Sequence, residues 1–340
     1  MLLANTAVGK RWETLTAELL PGLLGGLICL FGALDLAGAQ MLAPGLGGAS
    51  RRALDGSIIT IGFIAAAVAA RPLRERIARL LPIDPHSPVH ALALSLAAIL
   101  FGFNLAVLLF TDTLASAQSN PPVTIADLVA NEIPFLILGV TGVGFLIRRE
   151  PRETARRLGL DVPRWWHISL ALAGAGLFVA VVQAAAAAGS AFTPSVFHRL
   201  VDSTQHAYGP ISASAIGIVA IALLPGICED ILFRGALQPR LGLLPTALVF
   251  TSLHVQYGLS FDTLAVLINA IGLGLIRKYT NTTASALCHS TYNLLAGIGL
   301  AGAFLNYAVA AEVILVGASA YAIWTRRRGQ AAANTSAGSP

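Results

Sequence analysis

Charge is what this chain has least of. Asp, Glu, Lys and Arg make up 11% of its 340 residues, and mean hydropathy is +0.73. A soluble domain carries about 25% charged residues. A soluble enzyme with a single anchor is therefore excluded, and no polar stretch is long enough to fold as a separate globular domain. Cysteine is scarce as well. Cys29, Cys228 and Cys288 all lie in apolar runs, and an odd number without a CxxC excludes a disulfide framework and a structural zinc knuckle. Cys228 and Cys288 read as small packing residues, since no base stands at helical spacing from them. There is no repeat of solenoid length. The net charge of +5 comes from arginines clustered in a few loops, without interleaved aromatics, so no nucleic-acid partner is expected.

What is present is apolar length. A membrane-spanning helix needs ~20 mostly apolar residues. Candidate spans are Leu19–Met41, Leu54–Ala70, Val89–Phe110, Ile125–Ile147, Ile168–Gly189, Ile211–Leu237, Leu243–Val255, Phe261–Ile276, Thr283–Leu300 and Phe304–Trp324. The fold expected is an all-α polytopic transmembrane bundle of about 8–10 spans. The second, seventh and eighth candidates are short, so one of them is a candidate for a re-entrant or partial crossing. Arginines gather after every second span: Arg71 to Arg79, Arg148 to Arg164, Arg234 and Arg240, Arg277 with Lys278, and Arg326 to Arg328. This alternation places both termini in the cytoplasm. Arg51 and Arg52 break the pattern. Ala37-Gly38-Ala39 resembles a signal cleavage site, but the polar lead-in and Asp35 point to an uncleaved first helix. The Ala-rich, Arg-over-Lys composition suggests a bacterial inner membrane.

Local stretches add detail. Trp165-Trp166 beside Arg164 reads as an interfacial belt. Arg71–Arg79 reads as a solvated basic loop, with a surface amphipathic helix as the alternative. Residues 1–188 form a variable N-terminal set of helices, 210–325 a helical core, and 329–340 an Ala/Gly/Ser/Asn tail expected to be disordered.

Ionised groups at membrane depth cost a few kcal/mol and need a partner or a task. Asp230 and Arg234 stand at i, i+4 with the acid first, a favourable helical pair. Glu229 is left without a local partner. His254 closes the seventh candidate span, and His289 and Asn293 share a helical face in the ninth. A carboxylate and an imidazole can bind and deprotonate water. Two histidines and a carboxylate can hold zinc with an open position. An asparagine can donate to an oxyanion. These are the parts of a peptide hydrolase, although each residue alone is also an ordinary interhelical hydrogen bonder. Asp35, Glu132 and Glu312 lie in spans without a motif, and Asn104, Gln183, Asn269 and Asn306 read as interhelical bonders.

Three motifs carry a resemblance: Glu229-Asp230-Ile231-Leu232-Phe233-Arg234, Phe250-Thr251-Ser252-Leu253-His254 and His289-Ser290-Thr291-Tyr292-Asn293. In this order they resemble EExxxR, FxxxH and HxxxN of the CAAX protease and bacteriocin-processing family. This family of intramembrane endopeptidases, also called ABI, includes the Rce-type prenyl-protein proteases. The resemblance covers about Ile211 to Leu300. It implies a conical cavity open to one leaflet, with Glu229 as general base and His254 helping to hold water or metal. His289 and Asn293 would bind the water or metal or stabilise the oxyanion. Asp230, Arg234 and Phe250 would support them. A zinc on Glu229, His254 and His289 and a metal-free, glutamate-activated water both fit the motifs. The substrate implied is a membrane-anchored or membrane-proximal peptide or protein in the bilayer. Asp230 stands where the family usually has Glu, which puts any role beyond bracing Arg234 in question. A non-catalytic immunity or scaffold protein of the same fold and a proton-coupled transporter are the alternatives. His254 fits only if the seventh helix is short, since ~13 residues cover roughly 20 Å and would bring it back towards the other three.

Overall fold

The computed structural model describes residues 1–39, 41, 46–299 and 303–336. Among them the chain is helical, with no β-strand. The elements are α1 (Leu2–Ala7), α2 (Glu13–Leu34), α3 (Gly48–Ala67), α4 (Arg71–Ile77), α5 (Pro88–Phe110), α6 (Thr113–Ser119), α7 (Ile125–Gly142) and α8 (Pro151–Leu158). They continue with α9 (Trp165–Phe192), α10 (Pro194–Ser212), α11 (Ala215–Asp230), a π-helical turn (Ile231–Leu237), α12 (Gln238–Leu241), α13 (Leu243–Ser252), α14 (Phe261–Tyr279), α15 (Thr282–Ile298) and α16 (Ala303–Ser336).

The all-α polytopic architecture is as expected, but fewer helices qualify as spans. By length and composition, Glu13–Ala39, Pro88–Phe110, Ile125–Gly142, Trp165–Phe192, Ala215–Leu241 and Ala308–Arg326 can cross a membrane. Gly48–Ala67 with Arg71–Ile77, bent by 89°, adds one if the pair is a single broken span. The expectation of 8–10 fails at the three late candidates. α13 has 10 residues, about 15 Å at 1.5 Å each, too short to cross a ~30 Å hydrocarbon core. α15 has 17. α14 carries Asp262, Asn269, Arg277 and Lys278. These three pack among the longer helices instead, α15 against α11 and α9 and α14 against α9 and α13. Sequence reading also missed α10, whose polar residues read as loop.

Two arginine features depart from expectation because each guanidinium is held by local partners. Arg74 is only 1% exposed, so Arg71–Arg79 is not simply a solvated loop. The Arg74 side chain donates to the Val68 and Ala69 carbonyls, both at 2.7 Å, and to Pro85 O at 2.7 Å. Val68 and Ala69 directly follow α3, so Arg74 caps the carbonyls that the helix end leaves open. Arg51 lies 3.7 Å from buried Asp35. A paired arginine is not a free loop charge, which accounts for its place outside the positive-charge alternation. At the other end, α16 runs to Ser336, and the alanines of its last turns favour helix. Residues 337–340 lie outside the described residues.

The core that positions the site is built around the π turn. α7 meets it closely at Gly139, where a Cβ would fall 3.2 Å from the Leu232 backbone. α11 and α15 touch at Gly226, where a Cβ would sit 2.2 Å from Ser290 Oγ. Small residues of this kind let helix backbones approach closely in a membrane. The start of α15 is pinned. Asn281 caps it by accepting from Ala284 N at 2.8 Å, and Thr282 Oγ1 donates to Leu158 O at 2.5 Å. Cys288, 0% exposed, joins Ala284, Leu273 and Phe178 in one apolar cluster, the packing role expected for it.

Candidate active site

Asp230 is the last residue of α11 before the π turn, and its carboxylate is 0% exposed. Its neighbours come from two elements. Arg234 Nε lies 3.5 Å from Oδ1, the i, i+4 pair read from the sequence. Ser285 Oγ donates to Oδ1 at 2.6 Å, and His289 Nδ1 lies 2.8 Å from Oδ2. Asp230 is therefore more than a brace for Arg234. It also ties α11 to α15. A carboxylate facing a guanidinium and a hydroxyl only accepts, so His289 Nδ1 carries the hydrogen, and in the neutral ring the lone pair is on Nε2. That Nε2 points to Glu229, with Oε2 at 3.9 Å. Glu229 is buried, and its Oε2 accepts no hydrogen bond among the described residues. His289 thus stands between two adjacent acids, held by one and facing the other.

Phe250 organises the aromatic side of the site. The Arg234 guanidinium carbon lies 4.0 Å from the Phe250 ring centroid. Rings of Phe233, His254 and His289 surround it at 5.3, 5.0 and 5.9 Å. A buried cation over an aromatic face is stabilised by the ring quadrupole, by ~2 kcal/mol when desolvated. This substitutes for hydrogen bonds that the terminal nitrogens of Arg234 do not make among the described residues. Phe250 is therefore the surface that keeps Arg234 and both histidines in register.

His254 sits just beyond the short α13, with Nδ1 3.2 Å from Phe250 O. The carbonyl accepts, so this imidazole too turns a lone pair outward on Nε2. Because α13 is short, His254 stands beside the other motifs, the geometry that the sequence required. A cavity of about 200 Å³ is lined by His254, His289 and Asn293, together with Tyr257, Tyr292 and Asn269. Asn293 Nδ2 donates to Ile221 O at a long 3.4 Å. Glu229 does not line this cavity and meets it through His289. The sequence missed Asn269, read as interhelical glue. It is buried, its Oδ1 has no partner among the described residues, and it faces the cavity. Tyr257 and Tyr292 were missed as well, since Tyr257 lies outside the three motifs and Tyr292 fills an unspecified position within the third. A third acid, Glu132 of α7, is buried, its Oε2 has no hydrogen-bond partner among the described residues, and it interacts electrostatically with Glu229.

The zinc expectation can be tested on the donor set. The chemistry suits a metal, with two neutral imidazoles, one of them backed by a carboxylate. The spacing does not. Among the described residues no three His, Cys, Asp or Glu side chains come together as a metal-binding group. Glu229, His254 and His289 do not fit zinc as they stand.

Fold and site together define an integral membrane protein with an acid–histidine centre buried among its helices. Residues 211–295, which hold all three motifs, match the family described as type II CAAX prenyl endopeptidase Rce1-like. Over 65 residues the chain is 40% identical to the uncharacterized protein YpbD of Bacillus subtilis (strain 168), covering 18% of this chain and 34% of that protein. The match thus spans about a third of that relative's length. No solved structure matches.

Proposed function

We propose that this protein is an intramembrane endopeptidase that cleaves a membrane-anchored or membrane-proximal peptide with a water activated by Glu229. The observation that carries the proposal is His289, locked by Asp230 on one side and aimed on the other at Glu229 Oε2, which has no hydrogen-bond partner among the described residues, in the wall of a cavity shared with His254 and Asn293. At 3.9 Å the gap between His289 and Glu229 is too long for a direct hydrogen bond and suits a bridging water. Glu229 takes the water's proton as the oxygen attacks the scissile carbonyl carbon. The Nε2 lone pair of His289 accepts the water's other hydrogen, His254 lines the same cavity, and the Asn293 amide donates to the oxyanion. Collapse breaks the C–N bond, and the proton passes from Glu229 to the leaving amine. This scheme uses no metal. The match to the CAAX prenyl endopeptidases makes a prenylated CAAX peptide the first substrate to try.

One observation favours a second reading. Glu229 lies behind His289 rather than in the cavity lining, as in a non-catalytic scaffold that binds a peptide in the same cavity. Glu229→Gln separates the two. Peptidase action requires cleavage of a membrane-tethered reporter to fall by at least about 10², with thermal unfolding unchanged. A scaffold keeps its binding and shows no cleavage in either form.

A further inference from the structure

A second cavity lies against the π turn, at Leu232, Ala236 and Leu237. Its volume is about 270 Å³, and its wall is almost wholly apolar, with Leu100 from α5, Leu138 from α7 and Leu232 from the π turn. It shares no lining residue with the acid–histidine cavity. Its charged lining residues are Arg157 and Arg240, with His90 beside them. His90 Nδ1 accepts from Asp84 N at 2.8 Å, which leaves Nε2–H as a donor. Arg157 is also part of a neighbouring open cleft with Arg148, Arg149 and Arg156, where Glu153 is the acid among the lining residues. Burial, followed by the charges of Arg240, Arg149 and Arg277, pushes the Arg157 guanidinium down to about 10. An apolar slot thus opens onto a group of cations that repel one another.

We propose that this cavity binds an anionic phospholipid, with one acyl chain between α5, α7 and the π turn and the phosphate on Arg157, Arg240 and His90. Apolar burial holds the chain. Basic pockets at the ends of membrane helices select anionic head groups. A zwitterionic lipid would carry its own cation towards the arginines and lose that selection. Leu232 belongs to the turn that carries Arg234, so a bound chain also supports the back of the acid–histidine site.

The test uses the full chain purified in detergent and native mass spectrometry. The probes are phosphatidylglycerol, phosphatidylcholine and glycerol 3-phosphate. Phosphatidylglycerol should be retained over phosphatidylcholine by about tenfold or more. Arg157→Gln with Arg240→Gln should abolish that preference. Leu138→Trp should expel the lipid while leaving the arginines in place, so the proposal stays testable if the double variant does not fold. Equal retention of the two lipids overturns it, as does a preference that survives the arginine changes. Displacement by glycerol 3-phosphate at the same concentration also overturns it, because the site would then read only the phosphate.

Discussion

Asp230→Asn is the sharpest perturbation of the site, because one carboxylate does two jobs. It is the counter-ion of Arg234, at 3.5 Å with both side chains 1% exposed or less. It also fixes the His289 ring through Nδ1 at 2.8 Å. Removing one partner of a buried ion pair costs about 3–5 kcal/mol, and a lost charge-assisted hydrogen bond about 1.5–3. Both come from the same group, so they are not additive, and about 3–5 kcal/mol is the expected loss. Against a typical stability of about 5–15 kcal/mol, the variant folds with a clearly lower melting temperature. The chemical effect is separate. An Asn amide can present its NH₂ to Nδ1, which moves the imidazole hydrogen to Nε2. Nε2 would then donate towards Glu229 instead of accepting from a water. A wrong tautomer of this kind costs up to about 10⁴ in turnover. The assays are thermal unfolding in detergent and cleavage of a membrane-tethered peptide at a temperature where the variant is fully folded. Asp230→Glu is the control. It keeps the charge but adds a methylene to a fully buried position, at about 1–3 kcal/mol, and retains more activity than Asn. Wild-type unfolding together with wild-type turnover in Asp230→Asn would refute both roles.

Other outcomes follow from single contacts. Gly226→Ala puts a Cβ 2.2 Å from Ser290 Oγ and 2.8 Å from its backbone nitrogen, forcing α11 from α15. Overpacking of about 1–3 kcal/mol and a disproportionate loss of turnover are expected, since His289 moves with α15; unchanged kinetics would show that the site tolerates the shift. Chelation by EDTA, with metal analysis before and after, should leave cleavage intact, because the acids and histidines do not converge on a metal position; loss on chelation and return with zinc would mean that the donors rearrange. Asp112 accepts from Arg199 at 2.6 Å and caps α6 through Ala115 N at 3.1 Å. The Arg199 hydrogen bond, then the cap, holds its carboxyl below the ordinary 3.8. The pair therefore contributes stability above about pH 3.8 and loses it as the pH falls further through the folded value. Both side chains are about half exposed, so the contribution is under about 1 kcal/mol. Asp112→Asn should remove this acid-dependent step from the unfolding curve and leave the rest unchanged.

Composition was enough for the polytopic helical class, because apolar length and sparse charge act over whole segments. The three motifs were readable because each puts a polar group where polarity is costly. The contact between Asp230 and His289 was not, since it joins residues 59 apart in the chain, and helical spacing made Arg234 the obvious partner. Arg74 failed the same way: a guanidinium that caps backbone carbonyls has no acid to betray it. The span count failed because apolar helices packed among other helices look, residue by residue, like helices facing lipid. Asn269 and the cavity tyrosines stayed hidden because one amide or phenol at depth has many bland uses.

The π turn at Ile231–Leu237 has one further consequence. A turn wider than the α-helix carries an extra residue relative to its flanks. Deleting one residue here, such as Ala236, would let the segment close to a regular helix with its two flanks still in phase, whereas the same deletion inside α15 would turn everything after it by about 100°. The change would fall on the turn itself and so on the aim of Arg234. This stretch should therefore keep the fold through a one-residue deletion better than the regular helices beside it, while the buried ion pair is lost.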